Sequence, residues 1–273
     1  MTEAVTDGVV RVNGAEIHYD AAGAGHPLIL VHGGICDRRM WEAQMPTLAE
    51  HFRVIRYDLR GFGQTAMPPG PYSHAADLAG LMAALGVERA HLVGCSKGGS
   101  TALDVALAQP ERVSALVLVS SGPSGYRPAQ PVPESPQWPA VIAAFDAGDL
   151  ERAAELEVQV WVDGPQRSPE QVDPAVRAKV REMDLLAMRH EVAGQGQEQP
   201  PERPAAGRLA EVRAPTLVIY GDLDAPITLS SSPALAAGIA GARRVVMEGT
   251  AHLLNMEKPE AFNRVVLEFL SGV

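Results

Sequence analysis

The sequence predicts an α/β fold, with a mostly parallel sheet, helices on both faces of the sheet and an inserted helical cap. Two observations support this prediction. Short apolar runs alternate with stretches of helical periodicity through most of the chain, which is typical of a parallel sheet covered by helices. The alternation is interrupted by a proline-crowded stretch at residues 123–139 and resumes near residue 215. In such sheets ligands bind beyond the carboxyl ends of the strands, so we expect the functional residues there.

The composition fits one sizeable domain. The chain has 273 residues, of which 46% are hydrophobic and 21% are charged. Its formal net charge of −10 argues against a polyanionic partner such as nucleic acid or an anionic membrane surface. The N-terminus lacks a basic region followed by an apolar one, and no apolar run approaches the ~18 residues of a membrane helix. We therefore expect a cytoplasmic protein that acts on a small molecule.

The sequence contains no signal for a cofactor or a metal. Cys36 and Cys95 are too few for a disulfide framework and lack metal-ligand spacing, so free thiols are expected. A phosphate-binding loop and a dinucleotide fingerprint are also missing from the sequence. The expected chemistry is therefore carried by side chains alone.

The predicted strands are apolar runs bounded by turn residues. The first two alternate apolar with polar side chains and flank Asn13-Gly14, a pair that favours a type I′ hairpin turn. The third and later runs are more continuously apolar, as expected of strands buried on both faces. The strands are predicted at residues 8–12, 15–20, 27–31, 52–57, 90–93, 113–120, 215–220 and 243–247.

The predicted helices lie between these strands. The first has an apolar stripe that includes Trp41 and Leu48, and Pro46 is expected to break or kink it. Pro110 is expected to stop the third helix. The helices outside the interrupted region are predicted at residues 38–48, 73–85, 100–108, 232–239 and 259–270.

Residues 123–206 are interpreted as a helical cap inserted into a core formed by residues 1–122 and 207–273. The prolines are too dense for a core element, and helical segments follow them at residues 140–145, 149–161 and 174–190. The apolar side chains of these helical segments either line a substrate pocket or pack the cap itself. The candidate pocket residues are Trp138, Trp161, Met183 and Met188.

The candidate nucleophile is Ser96. It lies in the sequence GCSKG at residues 94–98, between the strand at 90–93 and a small-residue helical run. In a G-x-S-x-G turn the serine hydroxyl is exposed at the carboxyl edge of the sheet, and the glycines allow strand and helix to approach closely. Such a short motif can arise by chance among 26 glycines, but the flanking strand and helix argue for a functional turn.

A serine nucleophile needs a base and a third group that orients the base. Residues 221–226 directly follow the strand at 215–220, so a carboxylate there projects at the same edge as Ser96. His252 follows the last strand on a loop over that edge. Ser96 is therefore the candidate nucleophile and His252 the candidate base, and Asp222 and Asp224 are the carboxylates placed to orient that base.

With these residues, the chain resembles the α/β-hydrolase-fold family, in particular its esterase, enol-lactonase and cofactor-free haloperoxidase members. The order of Ser96, Asp224 and His252 is the Ser-acid-His order of that family. The resemblance covers nearly the whole chain outside the cap. The matching stretches are residues 31–34, 58–63, 94–99, 110–113, 221–224 and 251–259.

The resemblance also implies roles for nearby residues. The backbone N–H groups of Gly34 and Lys97 are expected to form the oxyanion hole, and His32 is expected to hold the loop that carries Gly34. Asp224, rather than Asp222, is the expected acid. Lys97 departs from the family pattern, which usually has Met or another apolar residue there. Its ammonium is expected to point either toward the nucleophile, which we favour, or to solvent.

The function implied by the resemblance is serine hydrolysis of a carboxylic ester or a lactone through an acyl-enzyme. Two other reactions remain open with the same three residues, namely carbon–carbon bond hydrolysis and cofactor-free perhydrolysis. A ligand receptor with a hydrolase-like site is an alternative of a different class. The natural substrate and the oligomeric state have no signal in the sequence.

Overall fold

An eight-stranded sheet runs through the centre of the structure, a computed structural model that describes residues 5–273. The strands in this part of the chain are β1 (Thr6–Val12), β2 (Ala15–Ala22), β3 (Pro27–Val31), β4 (Arg53–Tyr57), β5 (Gly70–Tyr72), β6 (Ala90–Cys95), β7 (Val113–Val119), β8 (Gly196–Glu198), β9 (Thr216–Gly221) and β10 (Arg243–Met247). The sheet order is β1-β2-β4-β3-β6-β7-β9-β10. All neighbours from β4 to β10 are parallel, and β2 is antiparallel to both of its neighbours. The expected α/β fold is therefore confirmed.

Helices cover both faces of this sheet. They are α1 (Met45–Ala49), α2 (His74–Ala84), α3 (Lys97–Ala108), α4 (Trp138–Asp146), α5 (Leu150–Val158), α6 (Pro174–Ala193), α7 (Pro226–Gly238), α8 (Leu254–Glu257) and α9 (Pro259–Leu270). Alternate residues of β3 point into different hydrophobic clusters, because successive side chains of a strand face opposite sides. Leu28 and Leu30 pack with α1 and α9, whereas Ile29 and Val31 pack with α2, α3 and α7.

The opening hairpin has the predicted turn. Asn13 and Gly14 both have positive φ angles, 45° and 80°, which a type I′ turn requires. Pro46 lies in the first turn of α1, and the predicted helix at 38–48 is divided into a 3₁₀ turn at Arg38–Trp41 and α1. The division follows from the missing N–H of proline, which the first turn of a helix tolerates.

The predicted helix at 232–239 begins earlier than expected. It starts at Pro226 and includes Pro233 in its interior. Two serine hydroxyls attach α7 to the end of β7, since Ser231 and Ser232 both donate to the carbonyl oxygen of Ser121, at 3.2 and 2.9 Å. These tertiary contacts outweigh the local penalty of the proline.

The segment between β7 and β9 carries α4, α5, a π-helical turn at Gln159–Asp163, α6 and β8. Its end returns to the core through β8, which pairs in parallel with β5. In the last turn of α6, His190 Nε2 forms a hydrogen bond with the Gly63 carbonyl oxygen at 2.9 Å. Residues 1–4, which the sequence assigned to the core, lie outside the described residues. None of the helices in residues 5–273 has the length and apolar character needed to cross a bilayer.

Candidate active site

Ser96 lies at the turn between β6 and α3 in a strained conformation. Its φ and ψ are 50° and −115°, a region that non-glycine residues rarely adopt and that is found mostly at functional sites. The N–H of Ser96 donates to the Val119 carbonyl oxygen at 2.8 Å, which ties the turn to β7. A β-carbon on Gly94 would lie 2.3 Å from the Gly98 carbonyl oxygen, so only glycine fits that position.

His252 contacts Asp224 at the same edge of the sheet. Its Nδ1 lies 2.9 and 3.0 Å from the two carboxylate oxygens, and the Ala225 N–H donates to the same carboxylate at 2.7 Å. Asp224 is completely buried and His252 is nearly so. Because a carboxylate only accepts hydrogen bonds, Nδ1 carries the imidazole proton and the Nε2 lone pair is free for a proton. Asp222 is used differently, since it accepts the Gly249 N–H at 2.6 Å.

A tryptophan from the segment between β7 and β9 covers His252. The Trp161 ring centroid is 4.6 Å from that of the imidazole, and its carbonyl oxygen accepts the His252 N–H at 3.3 Å. Trp138 packs edge-to-face on Trp161, at 6.2 Å between ring centroids. On the other side, Glu257 accepts the Ala251 N–H at 2.8 Å. The histidine loop is therefore held both by the core and by residues 123–206.

The loop after β3 packs against the Ser96 turn. A β-carbon on Gly33 would lie 3.7 Å from Ser96 Cβ, and one on Gly34 would lie 3.6 Å from Lys97 Cε. Lys97 is the first residue of α3, and the first N–H groups of a helix have no acceptor within the helix. The N–H of Lys97 is therefore free to bind an oxyanion.

His32 holds this loop, as the resemblance implied. It is completely buried, its Nε2 accepts the Leu59 N–H at 2.9 Å, and its Nδ1 donates to the Gly33 carbonyl oxygen at 2.8 Å. Burial lowers the pKa of His32, which fits a neutral ring with one donor and one acceptor nitrogen.

The Lys97 side chain has a partner that the sequence did not suggest. Its ammonium donates to Glu198 Oε2 at 2.8 Å, and Glu198 is the last residue of β8. About a third of the Lys97 side chain is exposed. An ion pair between Lys97 and Glu198 therefore joins the Ser96 turn to β8.

Two further residues near the site have structural roles. Asp58 accepts the Gln64 N–H at 2.8 Å and so holds the turn that follows β4. Cys95 is completely buried, which raises the pKa of its thiol and leaves it unreactive beside the exposed turn.

Two cavities flank the tryptophan pair. Trp138 contributes to both of them. The first, of about 240 Å³, is lined by Gly34, Gly61, Phe62, Met67, Trp138, Val141, Ile142, Phe145, Asp146, Glu157, Asp184, Ala187, Met188 and Glu191. The second, of about 470 Å³, is lined by Pro128, Pro131, Val132, Pro133, Glu134, Ser135, Trp138, Val160, Trp161, Ala225, Pro226 and Ile227.

Three of the four candidate pocket residues of residues 123–206 line at least one of these cavities. Trp138, Trp161 and Met188 line the cavities, but Met183 is completely buried in the hydrophobic core. Met183 and Met188 are five residues apart on α6, so they point about 140° apart around the helix. The prediction for Met183 was therefore wrong because the two methionines lie on different helix faces.

The sequence analysis missed the acidic lining of the first cavity. Asp184, Ala187, Met188 and Glu191 follow the i, i+3, i+4, i+7 spacing of one helix face. That spacing could have predicted that Asp184 and Glu191 share one face of α6, but it could not predict that Glu157 of α5 lines the same cavity. Burial raises the pKa of Asp184 to about 9 and that of Glu157 to about 7, and the neighbouring carboxylates add to both shifts.

Comparison with known proteins is consistent with this geometry. The family model described as alpha/beta hydrolase fold matches residues 26–259. The 2-hydroxy-6-oxo-6-phenylhexa-2,4-dienoate hydrolase of Comamonas testosteroni is 30% identical, over 93% of this chain and 91% of that protein. The crystal structure of the enol-lactonase from Burkholderia xenovorans LB400 matches with a TM-score of 0.78 and 27% identity, over 97% of this chain and 100% of that one. A thermophilic esterase from Thermogutta terrifontis matches with a TM-score of 0.78 and 29% identity, over 98% of both chains. The chain belongs to the family of the alpha/beta hydrolase fold.

Proposed function

We propose that the chain is a serine hydrolase that cleaves a carboxylic ester or a lactone through an acyl-enzyme intermediate. The observation that carries the proposal is the contact of His252 Nδ1 with both oxygens of buried Asp224, at the sheet edge where Ser96 forms its strained turn. This combination supplies a nucleophile, a base and a group that orients the base. Family membership and the esterase and lactonase neighbours support the same reaction class.

In the proposed mechanism, Ser96 Oγ attacks the carbonyl carbon and its proton passes to His252 Nε2. The imidazolium that forms is stabilised by the negative charge of Asp224. The N–H groups of Gly34 and Lys97 donate to the oxygen that becomes negative. Collapse of the tetrahedral intermediate breaks the bond to the leaving oxygen, which takes the proton from His252. A water molecule then attacks the acyl-enzyme carbonyl carbon while His252 takes its proton. The bond to Ser96 Oγ breaks, the proton returns to Ser96, and the carboxylic acid product is released.

Residues 123–206 act in this proposal as a cap that supplies selectivity. His252 protonates the leaving group, so the leaving group lies on the imidazole side of the carbonyl. The second cavity, with Trp161 over the imidazole and Ala225 next to Asp224, is on that side and receives the leaving group. The first cavity is on the Gly34 side and receives the acyl chain.

Carbon–carbon bond hydrolysis is the second candidate, because the Comamonas testosteroni relative is named for a dienoate substrate. The first cavity argues against it for this chain. Its lining within residues 5–273 includes Glu157, Asp184 and Glu191 but no lysine or arginine, so a substrate carboxylate placed there would lose its hydration without gaining a cationic partner. We therefore favour the ester or lactone.

The experiment is a rate comparison on 4-nitrophenyl esters, γ- and δ-lactones and a 2-hydroxy-6-oxo-dienoate, with Ser96→Ala as the control. We expect ester or lactone turnover that Ser96→Ala lowers by roughly 10³ or more, with an unchanged melting temperature. Turnover of the dienoate alone would transfer the assignment to carbon–carbon hydrolysis. Binding without turnover of any compound would favour a receptor.

A further inference from the structure

The first cavity has an acidic and aromatic wall, and we call it the acidic cavity. Its carboxyl groups come from three cap helices, and its volume is about 240 Å³. Among the lining residues in the described part of the chain there is no lysine or arginine. The carboxyl-bearing residues are Asp146, Glu157, Asp184 and Glu191, and the aromatic ones are Phe62, Trp138 and Phe145.

Asp184 is the most buried of these carboxyl groups. Only 3% of the residue is exposed, and its Oδ2 has no hydrogen-bond partner within residues 5–273. A buried carboxyl oxygen without a donor is unfavourable, because it has lost its hydration without replacement. Burial, together with the charges of Glu157 and Glu191, raises the pKa of Asp184 to about 9. The cavity therefore lacks a positive group that would satisfy these oxygens.

The basic residues of the same helices do not supply that group, because the cavity lining includes none of Arg152, Arg177, Lys179, Arg181, Arg189 and His190. Arg177 and Arg181 of α6 both pair with Glu155, at 2.7 and 3.7 Å. Arg189, further along α6, pairs with Glu151 at 3.4 Å. Each of these pairs is formed with a carboxylate outside the acidic cavity. Asp184 therefore stays protonated at neutral pH unless a cationic ligand binds beside it.

We propose that the acidic cavity binds an alkylammonium group carried by the acyl chain of the substrate. This inference rests on the proposed function, because it places the acyl chain beside the oxyanion amide of Gly34. The aromatic walls favour an organic cation over a metal ion. The faces of Trp138, Phe62 and Phe145 attract a methylated ammonium, whereas a hard metal ion requires several oxygen ligands at short distance.

The test uses two esters of equal shape that differ in charge. The 4-nitrophenyl ester of 4-(trimethylammonio)butanoate is compared with that of 5,5-dimethylhexanoate, in which a carbon replaces the nitrogen. We expect kcat/KM for the cationic ester to exceed that for the neutral one by about tenfold or more, since a desolvated cation–π contact alone contributes about that factor. Asp184→Asn and Glu191→Gln should each reduce the ratio at least about threefold, and raised salt should reduce it too.

The matched control is Glu182→Gln. Glu182 also lies on α6, but it is mostly exposed and pairs with Arg39 at 2.6 Å, outside the cavity. This variant loses the same charge and should leave the ratio unchanged. A melting curve of each variant shows whether it has folded.

The outcomes separate this inference from the proposed function. Equal rates for the two esters, with turnover that depends on Ser96, would overturn the inference and leave the hydrolase assignment standing. A preference seen only when the ammonium is in the alcohol portion, as in choline esters, would overturn the placement in the acidic cavity. Titration calorimetry on Ser96→Ala, with the methyl esters of the same two acids, measures binding affinity without turnover. Tighter binding of the cationic ester, lost in the Asp184→Asn background, supports the inference even if neither ester is turned over.

Discussion

Replacing Asp224 by Asn should remove most of the activity while leaving the fold intact. The negative charge is 2.9 Å from His252 Nδ1 in a completely buried site. With an effective dielectric constant of about 20, the attraction between that charge and the imidazolium formed during catalysis is about 6 kcal/mol. At 1.36 kcal/mol for each factor of ten, the loss corresponds to about 10⁴ in kcat. The amide of Asn can also donate to Nδ1 and so favour the wrong tautomer.

Asp222→Asn provides the matched control for this prediction. It removes the same charge two residues away, where the oxygen accepts a backbone N–H from Gly249 and remains exposed to solvent. An Asn oxygen can still accept that bond, so we expect kcat to change less than about threefold. Both variants are assayed at saturating ester, and their folding is checked by circular dichroism. Losses of equal size in the two variants would refute the assignment of Asp224 as the orienting acid.

Four further predictions follow from individual contacts. Gly94→Ala should destabilise the protein by roughly 3 kcal/mol or prevent folding, because its β-carbon would overlap a carbonyl oxygen of α3; chemical denaturation measures this. Lys97→Met should cost less than about 1 kcal/mol of folding free energy, because its ion pair is partly exposed, and an acidic-limb pKa unchanged in the pH–rate profile would exclude an electrostatic role. Trp138→Leu should change KM and ester preference more than kcat, and a uniform loss of kcat would count against a selectivity role. Asp184→Asn should raise the melting temperature more at pH 8.5 than at pH 5. Because the pKa of Asp184 is raised to about 9 in the native state, the native protein binds more protons than the unfolded chain between about pH 4 and 9. Asp184 therefore lowers the folding stability as pH rises through this range, and Asn removes that loss.

The core of the fold was predictable because its strands carry strong local signals. The apolar runs before Gly94 and Gly221 need burial on both faces, and only a covered parallel sheet provides it. The Ser96 turn was also predictable, since its glycines are required by contacts between neighbouring strand and helix.

The parts that the sequence did not predict depend on tertiary contacts. The early start of α7 depends on hydroxyl bonds to the end of β7, which local propensity around Pro233 does not contain. The short strands β5 and β8 exist only because they pair with each other. The acidic cavity requires Glu157 of α5 to meet Asp184 of α6, and this depends on how the two helices pack.

The most direct test of the central claim is covalent labelling with a fluorophosphonate, followed by peptide mass spectrometry. The account predicts one adduct per chain, on Ser96, with labelling lost in Ser96→Ala and slowed in Asp224→Asn. Fragment ions distinguish Ser96 from its neighbour Cys95, whose buried thiol should remain unmodified. An adduct on Cys95, or continued labelling of a folded Ser96→Ala variant, would contradict the claim that Ser96 is the nucleophile.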